Sequence, residues 1–180
     1  MGNERWILHQ LQKRRSSLAG TIVEWGAGDG ELCRKIHQRF PQYPISGIDF
    51  LPNPCDHENQ ITWRSGNLLE MQPHNNDRVI IANLFLHHLT DEELRGLGIW
   101  IQQADLLIIS EPLRKKSSHT WGKILHPILH EVTRHDMHVS IDAGFVSDEL
   151  STIWSDNRAA WVVEEWEQWP GAYRSVWRRK

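Results

Sequence analysis

The ten residues Ile22-Val-Glu-Trp-Gly-Ala-Gly-Asp-Gly-Glu31 constrain this chain more than any other stretch. A short apolar run ends in three glycines at alternate positions, where an extended strand must turn into a helix. Gly26 permits a backbone with positive φ, Gly28 lets a ligand approach the main chain, and Gly30 lets the helix pack close. Glu24, two residues before Gly26, would put a carboxylate at the strand end near a ligand's cationic group. Asp49 ends the next apolar run, at the position from which an acid can take both hydroxyls of a ribose. A dinucleotide fingerprint, Gly-x-Gly-x-x-Gly, would require glycine where Glu31 stands. Glu24, Asp29 and Glu31 make the mouth anionic, which suits a cationic nucleoside better than a pyrophosphate.

Around this turn the pattern alternates between strand and helix. Residues 20–26 read as a buried strand. Leu32, Ile36 and Phe40 mark one face of a helix over 30–40 that Pro41 stops. Further strands are expected at Ile45–Asp49, Ile61–Trp63, Arg78–Asn83 and Leu106–Ser110, with Pro52, Asn53 and Pro54 reducing the helix after the second to a short piece or a turn. Thr90 and Glu93 form a capping box that starts a helix through Leu94, Leu97 and Ile101. Strands separated by ten to fifteen helical residues imply right-handed βαβ units and a mostly parallel sheet. After helical stretches at 117–135 and 147–154, two runs flanking Pro170-Gly171 read as an antiparallel hairpin. One domain of 180 residues is expected: an N-terminal helix in 1–19, a cofactor-binding half in 20–111, and acceptor-side helices with the terminal hairpin in 112–180.

The motif E-x-G-x-G-x-G followed by Gly47-Ile-Asp49 resembles class I S-adenosylmethionine-dependent methyltransferases, over most of the chain. Ser65-Gly-Asn67-Leu-Leu looks like that family's loop after the third strand, with Asn67 replacing the usual acid. Asn83-Leu-Phe-Leu-His-His-Leu-Thr-Asp-Glu-Glu-Leu94 looks like the loop and helix start after the fourth strand in the small-molecule branch. The resemblance implies a Rossmann-like, doubly wound α/β fold with a mostly parallel seven-stranded sheet and an antiparallel C-terminal hairpin. It implies S-adenosylmethionine as cofactor. Gly26, Ala27, Gly28 and Gly30 would shape the turn around the methionine part, and Glu24 would attract its ammonium group directly or through water. Asp49 would hold the ribose, Phe50 would pack on the adenine, and Asn67 and Leu68 would border its edge. Asn83 and Leu84 would lie beside the transferable methyl.

Related enzymes acting on adenine or glutamine nitrogen often carry Asn/Asp-Pro-Pro-aromatic after the fourth strand. Asn83-Leu-Phe-Leu replaces it here, which favours a hydroxyl or an activated carbon on a small, aromatic or quinol-like acceptor. His88 and His135 are the candidate general bases, because an unperturbed imidazole titrates near neutrality. His126, His130, His135 and His138 lack the H-E-x-x-H spacing, and Asn83-Leu84 supplies no carboxylate for magnesium, so no metal is expected.

A net charge of −3 argues against a nucleic-acid partner, and the basic end from Arg174 to Lys180 reads as a solvated edge strand protected from pairing. Five of ten tryptophans (Trp154, Trp161, Trp166, Trp169, Trp177) follow residue 153. They read as core, with an exposed remainder as a candidate interface for a second copy or a partner subunit. No apolar run nears the ~20 residues that span a bilayer, and no secretion signal is visible, so the cytoplasm is the default compartment. The short N-terminal region is expected to cover the cofactor or the sheet edge, leaving the acceptor site open or completed by a partner. The rival readings are a methyltransferase-like protein without turnover, an RNA methyltransferase and a nicotinamide oxidoreductase.

Overall fold

The computed structural model describes residues 2–52, 60–115 and 142–180. Seven strands form one sheet in the order β3-β2-β1-β4-β5-β7-β6. β1 (Thr21–Trp25), β2 (Ile45–Asp49), β3 (Ile61–Ser65), β4 (Asp77–Asn83) and β5 (Leu106–Pro112) run parallel. β6 (Trp161–Gln168) and β7 (Ala172–Arg179) form the antiparallel hairpin, with Trp169-Pro170 cis in its turn. This is the fold class expected from the sequence.

Alternation along the strands builds two cores. On one face Ile22, Ile81, Ile108 and Val176 pack under α1 (Asn3–Lys13) and α2 (Glu31–Arg39), through Ile7, Leu11, Leu32, Ile36 and Phe40. On the other, Val23, Trp25, Ile80, Ile109 and Trp177 meet α3 (Asp91–Gly96), α4 (Gly98–Gln103) and α5 (Glu149–Ile153). Trp154, Trp161 and Trp177 are buried there in edge-to-face contact, with centroids 5.5 and 6.3 Å apart.

Several expectations are corrected. β7 is an inner strand between β5 and β6, so its arginines do not lie on a solvated edge. Arg174 is buried, its guanidinium 5.0 Å from the Trp6 ring, and Arg179 donates to the carbonyls of Ala104 and Ile101. α1 covers the sheet face rather than its edge, burying Trp6, Ile7, Gln10 and Leu11. The helix starting at Thr90 keeps its capping box but breaks at Leu97 into α3 and α4. Both Gly96 and Gly98 weaken helix continuity there, while Leu94, Leu97 and Ile101 still face the core. The stretch 117–135, His126, His130, His135 and His138, and Asn53 and Pro54 of the short piece or turn expected after the second strand lie outside the described residues. Among the described residues, no helix is long and apolar enough to cross a membrane.

Candidate functional site

Strand order reverses between β1 and β4, and a crevice opens beyond their carboxyl ends, where open α/β sheets bind ligands. The turn after β1 is fixed from the main chain. Ala27 donates to the carbonyl of Ile48 at 3.0 Å, and Gly30 to that of Ala27 at 2.8 Å. Gly26, Gly28 and Gly30 have φ of +64°, +54° and +72°, the left-handed region that glycine enters most easily. A Cβ on Gly28 would meet nothing within 4 Å, so the main chain is open to a ligand there.

Asp49 joins the second strand to this turn. Its Oδ2 accepts from the N–H of Gly28 at 2.8 Å, and its Oδ1 from that of Leu51 at 2.9 Å. Each carboxylate oxygen keeps a lone pair for a further donor. Beside it lies a cleft of about 400 Å³, lined by Asp49, Phe50, Gly66, Asn67, Leu68, Phe85 and His88 among others. That volume is within the range of small-molecule sites. Phe50 is 72% exposed at the rim. Leu68 is buried in the wall, while the Asn67 side chain caps a short 3-10 turn: its oxygen accepts from Leu69 N–H at 3.1 Å and its amide donates to Glu70 at 3.0 Å.

Glu24 is placed differently from the other residues. It lies under α2, 3% exposed, where the Cys33 thiol donates to its Oε2 at 3.0 Å. Burial pushes its carboxyl up to about 8, with the negative charges of Glu4 and Asp29 adding to the shift. At neutral pH this side chain is mostly protonated.

At the end of β4, Asn83 is half-buried and its Oδ1 has no hydrogen-bond partner among the described residues. A buried acceptor left unpaired is costly, and it fits a site completed by a ligand's N–H or O–H. Leu84 follows at φ +56°, a conformation that costs a non-glycine residue about 1–3 kcal/mol. Its N–H donates to Ser110 O at 2.9 Å, and its side chain is 47% exposed. Phe85 packs on Gly26 and lines the cleft. His88 stands on the cleft wall, its ring 4.0 Å from that of His87. Partial burial, and secondly the His87 ring, hold the His88 imidazole below its ordinary value, so it is neutral at pH 7 and able to accept a proton.

The structure thus brings Gly26, Ala27, Gly28, Gly30, Asp49, Phe50, Asn67, Leu68, Asn83, Leu84 and His88 to one end of the sheet, with Glu24 beneath it. It adds a residue that sequence reasoning missed. Glu111, 1% exposed at the end of β5, accepts from the N–H groups of Phe85 and Leu86 at 2.9 Å each and lies 2.7 Å from His87 Nδ1. Its signal was visible as an acid closing the apolar run Leu106–Ile109.

No protein-family model matches the chain. A malonyl-[acyl-carrier protein] O-methyltransferase of Anoxybacillus flavithermus is 23% identical over 143 residues, covering 76% of this chain and 49% of that protein. The chain thus spans about half the length of the curated relative it matches. Among solved structures, the plantazolicin methyltransferase BpumL, in complex with a triazolic desmethylPZN analog and SAH, superposes with a TM-score of 0.80 at 13% identity, over 98% of this chain and 83% of that one. Magnesium protoporphyrin IX methyltransferase from Synechocystis PCC 6803, with bound SAH, gives 0.67 at 14% identity, over 98% and 82%. Strand order, reversed terminal hairpin and glycine turn agree with these likenesses: the chain has the fold of the class I S-adenosylmethionine-dependent methyltransferases.

Proposed function

We propose that this chain binds S-adenosylmethionine and transfers its methyl group to an oxygen or activated carbon of a small-molecule acceptor. The observation that carries the reading is Asp49, whose carboxylate spans from β2 to Gly28 N–H while keeping lone pairs at the mouth of the cleft. The fold supports it, as do the SAH complexes named for structures that share it. The curated relative's name, an O-methyltransferase, favours oxygen over carbon as acceptor.

The residues present fit such a cofactor. Asp49 would hold the ribose hydroxyls, Leu68 and Phe50 would border the adenine, and Gly28 would leave its main chain open to the methionine part. The orphaned Oδ1 of Asn83 would accept a hydrogen bond from the ligand. When bound, the cofactor supplies a methyl group on a positively charged sulfur, reactive without further activation. The protein's task is then alignment and, where the acceptor is a hydroxyl, removal of a proton. Neutral His88 would take that proton at a ring nitrogen. Exposed Leu84 and half-buried Phe85 would exclude water and favour a flat apolar acceptor, in keeping with aromatic or quinol-like compounds.

Calorimetric titration of S-adenosylhomocysteine, beside NADH, tests the cofactor. Saturable binding that Asp49→Ala weakens, with no NADH binding, is the expected result. An intact protein that binds neither, or binds NADH, would overturn it. A screen of phenol and quinol acceptors with labelled S-adenosylmethionine then tests the acceptor class, His88→Asn being expected to slow turnover without weakening cofactor affinity.

A further inference from the structure

Glu111 is a carboxylate placed where burial is expensive, and its partners explain why it is kept. The last residues of β5 grip four consecutive residues of the segment after β4. Ser110 O takes the N–H of Leu84, Glu111 Oε1 takes those of Phe85 and Leu86, and Glu111 Oε2 meets His87 Nδ1. That segment carries the strained Leu84, the Phe85 ring that fills the space above Gly26, and His88 on the cleft wall. A left-handed leucine persists only where its surroundings over-determine it. The hydrogen bonds from β5 are that determination.

We infer that Glu111 is a positioning residue for the cofactor cleft: through the N–H groups of Phe85 and Leu86 and the ring of His87, it fixes the wall formed by Phe85 and His88. This rests on the proposal that the cleft holds the cofactor. Glu111 is buried behind the segment and is absent from the cleft lining, so its effect is exerted through these residues. Because Phe85 touches Gly26, releasing the segment loosens the glycine turn as well. Glu111→Gln keeps one oxygen able to accept both main-chain bonds, and its amide can donate to His87 Nδ1 in the other tautomer. Glu111→Ala keeps none of these.

The test compares wild type, Glu111→Ala, Glu111→Gln and a control, Phe40→Leu. Phe40 is buried just past the C-terminal end of α2, about 13 Å along the helix from the turn. The first readout is amide hydrogen exchange of Phe85 and Leu86 in the unliganded protein. Glu111→Ala should exchange there at least about a hundredfold faster, with Glu111→Gln and the control near wild type. The second is the Kd for S-adenosylhomocysteine, weakened at least about tenfold in Glu111→Ala, restored to within about threefold in Glu111→Gln and unchanged in the control. Unaltered protection in Glu111→Ala, or equal loss of affinity in Glu111→Ala and the control, would overturn the inference alone. A wild type that binds no S-adenosylhomocysteine would overturn the cofactor reading and this inference with it.

Discussion

Gly26 and Phe85 are packed so closely that residue 26 has no room for a side chain: a Cβ there would lie 2.2 Å from Phe85 Cδ2. Gly28, two residues on, has the same left-handed backbone and open space beside it. The two glycines are therefore separable by substitution. Gly26→Ala combines a strained φ with a clash against the ring of Phe85, a residue whose main-chain N–H is held by Glu111. It should cost about 2–4 kcal/mol in urea unfolding. Gly28→Ala carries the strain alone, about 1–2 kcal/mol, yet places a methyl where a ligand would approach and should abolish S-adenosylhomocysteine binding. If Gly28→Ala binds normally, the open side of the turn is not the ligand side.

Asp49→Asn is nearly isosteric and keeps one oxygen for Gly28 or Leu51. It loses the charge and replaces one acceptor oxygen by a donor. Hydrogen bonds to a charged group contribute about 1.5–3 kcal/mol, so S-adenosylhomocysteine affinity should fall roughly tenfold to a hundredfold. The unfolding midpoint should move little, because Asp49 is half-exposed at a strand end. Calorimetry on the variant checks this, and full affinity would remove Asp49 from the site.

Beneath the cleft, Arg64 on the edge strand β3 reaches Asp77 at the start of β4. Arg64 Nη1 lies 3.0 Å from Asp77 Oδ2, with side chains 11% and 2% exposed. Arg64 Nε also donates to Ser46 at 3.2 Å, and Asp77 accepts from His74 N–H at 2.8 Å. The pair ties the strand that leads into the Asn67 loop to the middle of the sheet. Asp77→Ala strands a buried guanidinium and should cost about 3–5 kcal/mol, more than the double variant Asp77→Ala/Arg64→Met. Equal losses in the two, measured by urea unfolding, would show that the stranded charge is not the cause.

The parts legible in the sequence are those decided locally. The apolar runs of β1, β2, β4 and β5 are bounded by Gly26, Asp49, Asn83 and Ser110–Pro112, and Thr90 with Glu93 specifies a helix start by its own hydrogen bonds. What escaped is decided by neighbours distant in sequence. A hairpin does not announce which arm is inserted; in the folded sheet Tyr173–Trp177 is buried without a break while Glu164, Glu165 and Glu167 keep solvent contact, as an inner β7 and an outer β6 require. The role of Glu111 arises only when β5 lies beside β4, bringing it to Phe85 and Leu86, residues 26 and 25 positions earlier. The position of Glu24 at a strand end suggests a carboxylate near the ligand, whereas in the fold it is buried under α2 with the Cys33 thiol donating to it.

That burial makes the stability of this protein depend on pH through Glu24. Its carboxyl is pushed from 4.5 to about 8, chiefly by desolvation, with Glu4 and Asp29 contributing and the Cys33 thiol opposing. Between these values the folded chain holds a proton that the unfolded chain has released. Stability carried by this group is therefore complete below pH 4.5, falls as pH rises, and is lost once pH passes about 8. The slope from one such group is at most about 1.4 kcal/mol per pH unit. Glu24→Gln keeps a neutral polar side chain beside Cys33 at every pH and should remove the slope. Urea unfolding at intervals from about pH 5 to about pH 9 should show wild type losing stability relative to Glu24→Gln throughout the window. Parallel curves would mean that Glu24 releases its proton as an ordinary carboxyl, which would restore it as a charged partner for a bound ammonium group.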